Sequence, residues 1–86
     1  MQIKKRMIAR DVAGETILVP VGTSVQDVSG LFMLSPTGAF IWNILPDCET
    51  SEEIAEKLLE EYEVDRATAQ ADAEKFLRLL KEHDII

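Results

Sequence analysis

The stretch that decides the fold runs from Leu31 to Leu45 and reads LFMLSPTGAFIWNIL. Its apolar start is typical of a short strand. Ser35 and Pro36 then supply a helix start, because Ser is a good N-cap and Pro suits the first helical position. Pro46 is expected to end the helix, since it lacks the N–H that would continue it. Between these limits the apolar residues recur at helical spacing: Phe40, Ile41, Ile44 and Leu45. The stretch therefore predicts a strand that leads directly into a helix.

Two strand candidates precede this stretch. Met7 to Val12 is a short β candidate, and residues 15–21 form a β-branched run with alternation. Ala13 and Gly14 between them are a turn signal, so the two runs are expected to form a hairpin. Residues 22–30 are polar and bounded by glycines, which predicts a loop, or wing, that leads to the third strand.

Two more helices are predicted after Pro46. Thr50 followed by Glu53 matches a capping box, and Asp65 can cap the last helix. The core faces of these helices are expected to consist of apolar residues at helical spacing: Ile54, Ala55, Leu58, Leu59 and Tyr62, then Ala69, Ala73, Phe76, Leu77 and Leu80. The closing pair Ile85-Ile86 is expected to fold back onto the core.

The predicted order is three strands followed by three helices. This order indicates an α+β fold, a small winged-helix-like domain in which a three-stranded antiparallel sheet precedes three helices. At 86 residues the chain has the length of a single domain, so residues 1–86 are taken as one unit.

The charge balance argues against a nucleic-acid ligand. Sixteen acidic and nine basic residues give a net charge of -7, whereas affinity for a phosphate backbone comes mainly from Lys and Arg. The basic residues near the N-terminus are interpreted as a solvated start to the first strand: Lys4, Lys5, Arg6 and Arg10. No run approaches the roughly 20 apolar residues of a membrane span, and the single Cys48 fits a reducing compartment. A cytoplasmic location and no membrane partner are therefore expected.

Residues that could perform chemistry are few and scattered. The one His and the one Cys, His83 and Cys48, are far apart in sequence and lack a surrounding motif. The acidic pairs Glu52-Glu53 and Glu60-Glu61 are interpreted as solubilising pairs on helix surfaces. The glycines form no phosphate-binding motif, so no catalytic residue, cofactor or metal is predicted, and the protein is not expected to be an enzyme.

A series of packing and capping residues carries a family resemblance. Its members are Leu34 to Ala39, Ile41-Trp42, Thr50 to Leu58, Tyr62 to Asp65, Ala71 to Ala73, Phe76-Leu77, Leu80 and Ile85-Ile86. In this order and spacing the chain resembles the PqqD-like peptide chaperones, also called RiPP recognition elements, from about Arg6 onward. These small proteins present ribosomally made precursor peptides to modifying enzymes. Two departures are Ser35, where the family usually has Asn, and His83-Asp84, where it usually has Gly.

The resemblance implies a single peptide-binding domain over residues 1–86. A leader peptide would add to the edge of the third strand, in a groove walled by the third helix. The edge residues would be Leu31, Phe32, Met33 and Leu34, with Phe32 and Leu34 on one face and Leu31 and Met33 on the other. The helix would contribute Asp72, Lys75, Arg78 and Leu79. The partners implied are a precursor leader peptide and a tailoring enzyme, such as a radical SAM maturase or a leader peptidase.

Other interpretations stay open at this point. Phe32 and Phe76 can also be interpreted as core residues only, and Lys75 and Arg78 as solvated charges only. The edge strand could pair with a second copy and give a homodimer. A winged-helix nucleic-acid binder is the other alternative, since fold does not fix function, although the acidic charge opposes it.

Overall fold

The computed structural model describes residues 1–22 and 32–86. Leu31 and most of the predicted wing therefore lie outside the described residues. The elements follow the predicted order: strands β1 Met7–Val12, β2 Glu15–Pro20 and β3 Phe32–Leu34, then helices α1 Pro36–Ile44, α2 Ser51–Glu61 and α3 Arg66–Glu82. The predicted α+β arrangement, a three-stranded sheet followed by three helices, is thus confirmed.

The sheet is antiparallel, with the order β1-β2-β3. Ala13 and Gly14 join β1 to β2 with φ angles of 53° and 80°. Two consecutive positive φ angles in a two-residue loop match the type I′ hairpin turn, whose twist suits the strands it joins. The order places β2 in the centre and makes β3 an edge strand of the described sheet, as predicted.

The two faces of the sheet differ in burial. On the inner face Leu18 is fully buried, and its partner Phe32 is half-buried against the core. The outer face leaves large apolar side chains exposed, with Val12 at 52% and Met33 at 63% of their full accessibility. Phe32 and Leu34 thus share the inner face while Met33 points outward, because successive side chains of a strand alternate.

All three predicted N-cap residues cap their helices, and of the capping box predicted at Thr50 and Glu53 the bond to the Thr50 hydroxyl is the half that forms. The Ser35 hydroxyl accepts a hydrogen bond from the Gly38 N–H at 3.1 Å and caps α1. The equivalent bond in α2 runs from the Glu53 N–H to the Thr50 hydroxyl at 3.2 Å. In α3 the Asp65 carboxylate accepts from the backbone N–H of Thr68 at 2.7 Å, and this bond lowers the pKa of Asp65. Each cap satisfies an N–H that the helix itself leaves unpaired.

The end of α1 differs from the sequence prediction. The α-helix ends at Ile44, and Pro46 lies inside a short 3₁₀ turn, Leu45–Asp47. A proline is accommodated there because the first N–H groups of a helical turn have no partner within it. Trp42 lies partly off the apolar stripe that helical spacing predicts for α1, yet it is buried in the core. Trp42 is buried because the elements packed around α1 cover a wider part of its surface than the stripe of Phe40, Ile41, Ile44 and Leu45.

The core lies between the sheet and the three helices. Its fully buried large side chains come from β2, from α1 with its 3₁₀ turn and the residue after that turn, from both later helices and from the C-terminal tail: Leu18, Ile41, Leu45, Cys48, Ile54, Leu58, Leu80 and Ile85. Among the helices of the described residues, none combines the length and apolar character that crossing a bilayer requires.

The C-terminal tail folds back as predicted and meets the N-terminal segment. The Ile85 N–H donates to the Leu80 carbonyl at 2.8 Å, and the Lys4 N–H donates to the Ile85 carbonyl at 2.6 Å. The Lys4 ammonium also lies 2.8 Å from the Asp84 carboxylate, and this hydrogen bond lowers the pKa of Asp84. Lys4 is exposed to solvent, as the sequence predicts, while it forms this surface ion pair.

Candidate functional site

A groove of about 510 Å³ lies between β3, the start of α1 and one side of α3. The strand turns straight into α1 at the Ser35 cap, so these two elements form one side of the groove and α3 forms the other. The residues that line it are Met33, Leu34, Ser35, Thr37, Gly38, Ile41, Asp72, Lys75, Phe76, Arg78, Leu79 and Glu82.

The base of the groove is apolar and closely packed. Ile41 and Phe76 are buried there, and Leu34 is half-buried beside them. A Cβ atom placed on Gly38 would lie 3.4 Å from the Ser35 hydroxyl and 3.5 Å from the Phe76 ring, both of them close but acceptable distances. The α1 backbone therefore passes close to the Phe76 side chain of α3 at Gly38, at a distance that an alanine methyl group would still fit.

The rim on the α3 side carries four charged side chains: Asp72, Lys75, Arg78 and Glu82. Asp72 is half-buried, and the other three are exposed. Their spacing of three, three and four residues follows one side of a helix. Within the described residues none of the four forms an ion pair with another side chain.

The groove also runs along an open sheet edge. The described pairing of β3 is with β2, through Leu34 opposite Thr16, Met33 opposite Ile17 and Phe32 opposite Leu18. An edge strand presents unpaired N–H and C=O groups on its other side, and these groups can pair with an additional strand. The open edge and the side chains of α3 thus lie on either side of the same groove.

Most of the sequence-predicted site residues come together here. Those that line the groove are Met33, Leu34, Asp72, Lys75, Arg78 and Leu79. Phe32 does not line it, because its side chain packs on the core and its ring meets that of His83 at 4.5 Å with an interplanar angle of 68°. Leu31 lies outside the described residues.

Several lining residues were not predicted for the site: Ser35, Thr37, Gly38, Ile41, Phe76 and Glu82. Glu82 could have been found from the sequence, since it follows Lys75 by seven residues, two helical turns along the same side. Phe76 belongs both to the core and to the groove: its side chain is only 8% exposed, and it forms part of the groove base. The α1 residues carried no signal, because their place depends on how α1 packs against α3.

The groove offers two hydroxyl groups, those of Ser35, which caps α1, and Thr37. Its lining contains neither His nor Cys. Cys48 lies buried in the core, where burial raises the pKa of its thiol and favours the unreactive protonated form. In the described residues no group of three or more His, Cys, Asp or Glu side chains is arranged to hold a metal ion. An apolar base, charged rim and open strand edge are the features of a surface that binds an extended chain.

Comparison with known proteins agrees with this geometry. A chain described as TbiB1 in complex with the TbiA(beta) leader peptide is 29% identical, with a TM-score of 0.73 over 99% of this chain and 93% of that one. A chain described as lasso peptide synthetase B1 complexed with the leader peptide is 26% identical, with a TM-score of 0.69 over 94% of this chain and 89% of that one. Among curated protein sequences none matches.

The family itself is established by sequence. A family model described as coenzyme PQQ synthesis protein D, PqqD, matches residues 15–86. The match begins at the first residue of β2 and includes β3, all three helices and the C-terminal tail. Because it covers most of the chain, the resemblance noted from the sequence is confirmed, and this protein belongs to the PqqD family.

Proposed function

We propose that this protein is a non-catalytic adaptor. It binds the leader segment of a ribosomally synthesised precursor peptide by β-strand addition and presents it to a modifying enzyme in the cytoplasm. The observation that carries the proposal is the groove between β3 and α3 on a fold shared with two proteins in complex with leader peptides. The modifying enzyme would be a radical SAM maturase, a leader peptidase or another tailoring enzyme.

Backbone pairing would supply much of the affinity. A leader segment laid along β3 extends the sheet by a fourth strand and pairs with the free N–H and C=O groups of the edge. Because β3 spans only Phe32–Leu34 in the described residues, these bonds are few. Additional binding energy therefore has to come from side chains that enter the groove.

Different groove residues would contact different side chains of the leader. Leu34, Phe76 and Leu79 offer apolar surface for an anchoring side chain of the leader. Lys75 and Arg78 lie on the rim, where they would meet acidic leader residues. Phe32 would act indirectly, by holding the edge strand against the core.

The absence of catalysis is also part of the proposal. It is supported by the composition of the groove lining, which lacks His and Cys, and by the burial of Cys48. The groove does contain two hydroxyl groups, but that of Ser35 caps α1, and the lining holds no His that could act as a base for it or for Thr37; this arrangement favours presentation over reaction. Addition of the protein would then change the rate of modification only when the tailoring enzyme is present.

An amide NMR titration tests strand addition directly. The probe is the leader segment of a precursor peptide encoded beside the gene for this chain. Shifts are expected at Met33, Leu34 and the α3 positions from Asp72 to Leu79. Leader peptides N-methylated at alternate residues provide the control, because only the amides that face β3 form the ladder. One methylation pattern should abolish binding, and the other should leave it unchanged.

A second experiment tests presentation. The precursor is incubated with the neighbouring tailoring enzyme, with and without this protein, and modification is followed by mass spectrometry. Modification is expected to depend on this protein and on the leader. Equal modification in its absence, together with no amide shifts from the leader, would show that the adaptor proposal is wrong.

A further inference from the structure

The charges on the groove rim are ordered along α3. From the N-terminal end they run acid, base, base, acid: Asp72, Lys75, Arg78 and Glu82. The rim from Asp72 to Glu82 is about 15 Å long, at the rise of an α-helix. Its centre is therefore positive and both of its ends are negative.

These charges are available to a ligand. Within the described residues none of the four forms an ion pair, although neighbours of opposite charge lie on the same helix. An incoming side chain would therefore not have to displace an internal partner. Because all four line one groove, a bound peptide would face them together.

The spacing of the rim fits that of an extended peptide. Side chains on one face of a strand recur every ~6.7 Å, so the rim faces about three of them. For a peptide that runs along α3, the middle side chain would lie near Lys75 and Arg78, and the outer two would lie near Asp72 and Glu82. This pattern is symmetric, so it holds whichever way the peptide runs.

We infer that this groove selects an extended peptide with an acidic residue at a central position, i, and with Lys, Arg or neutral residues at i-2 and i+2. The inference rests on the proposed strand addition. Lys and Arg suit the outer positions because their long apolar stems can cover Leu79 while their charged ends reach the acids. A uniformly acidic peptide is disfavoured both by the rim ends and by the net charge of -7.

The probe that tests this inference is a phage-displayed library of random twelve-residue peptides, which needs no knowledge of the natural leader. It is selected against the wild-type protein and against a double variant, Lys75→Glu with Arg78→Glu. The wild type is expected to enrich peptides with Asp or Glu at the centre and bases two residues away. The double variant is expected to enrich basic centres.

The matched control is Lys81→Glu. Lys81 is an exposed residue of the same helix that does not line the groove, and its reversal changes the net charge by the same amount as Lys75→Glu alone. It should retain the wild-type selection. In synthetic peptides, replacing the central Asp by Lys should weaken binding to the wild type about tenfold, since exposed charge pairs contribute roughly two- to fivefold each. Added salt should reduce this difference.

The outcomes separate the two proposals. The charge pattern is wrong if the enriched peptides shift the β3 amides but have no acidic residue at the centre. It is also wrong if the double variant selects the same peptides as the wild type. Neither result contradicts strand addition. If neither the wild type nor Lys81→Glu enriches any extended peptide, and the neighbouring leader also fails to bind, strand addition is wrong and the charge pattern is overturned with it. Circular dichroism of each variant confirms that it is folded.

Discussion

Ala13 adopts a backbone conformation that its side chain disfavours. Its φ angle of 53° lies in the left-handed region, and the following Gly14 has a φ angle of 80°. The type I′ turn requires both angles, and Asn-Gly is the preferred pair for it. Gly14 meets this requirement, whereas Ala13 meets it at a steric cost.

Ala13→Asn is therefore expected to stabilise the protein. Asn tolerates the left-handed region better than Ala, so the free energy of unfolding should rise by up to about 1 kcal/mol. Urea denaturation measures the change. Ala13→Val is the opposing variant, because a β-branched residue fits positive φ poorly and should destabilise the turn. Equal stability of the two variants would contradict this account of the turn.

The two glycines Gly38 and Gly14 should respond differently to alanine. Gly38 lies within α1 and its added Cβ would make close but acceptable contacts, so Gly38→Ala should raise the free energy of unfolding by up to about 1 kcal/mol through helix propensity. Gly14 has open space around it but a positive φ, so Gly14→Ala should destabilise the fold. Thermal unfolding of the pair gives the comparison. A loss of stability in both variants would mean that the base of the groove cannot accept a methyl group.

At the scale of elements, the helix starts are the most clearly specified features. Ser35, Thr50 and Asp65 each accept a hydrogen bond from the N–H three residues later. The Asp65 cap differs from the others because its acceptor is a carboxylate. Its bond to the Thr68 N–H favours the charged form and lowers the pKa of Asp65.

This cap makes part of the stability depend on pH. Because the pKa of Asp65 is lower in the folded protein than in the unfolded chain, its contribution is present above the unfolded pKa and is lost as the pH falls through the folded pKa. Asp65→Asn keeps a capping oxygen that does not titrate. Between pH 6 and pH 3 this variant should lose less stability than the wild type in urea denaturation. Equal losses would show that Asp65 does not couple proton binding to folding.

At the scale of the whole molecule, the C-terminal tail closes the core. Ile85 is fully buried, and its backbone joins the end of α3 to the N-terminal segment through Leu80 and Lys4. A domain of this length has a stability of the order of 4–13 kcal/mol, so one core side chain is a large share of it.

Ile85→Ala is expected to lower the free energy of unfolding by about 2–4 kcal/mol, through lost burial and the cavity left behind. Ile86 is only half-buried, so Ile86→Ala is the matched control and should cost clearly less. Guanidinium denaturation compares the two. Similar small losses would mean that the tail is not part of the cooperative core.

The sequence alone was sufficient for the order of elements, for the three helix caps and for the resemblance to the PqqD family. These features depend on residues close together in the chain: Ser35 and Gly38, Thr50 and Glu53, Asp65 and Thr68. The spacing of Lys75, Arg78 and Leu79 on one side of α3 could also be predicted, because helical geometry alone determines which side chains share a side.

The tertiary structure alone decided what the groove contains. Gly38 and Ile41 enter its base because α1 packs against α3, and Phe32 leaves it because its ring turns toward the core and His83. Contacts between residues some forty positions apart depend on how whole elements pack, which periodicity and capping do not specify. The physical reason is that local patterns follow from backbone geometry, whereas a groove is the space left over when several elements bury their apolar faces together.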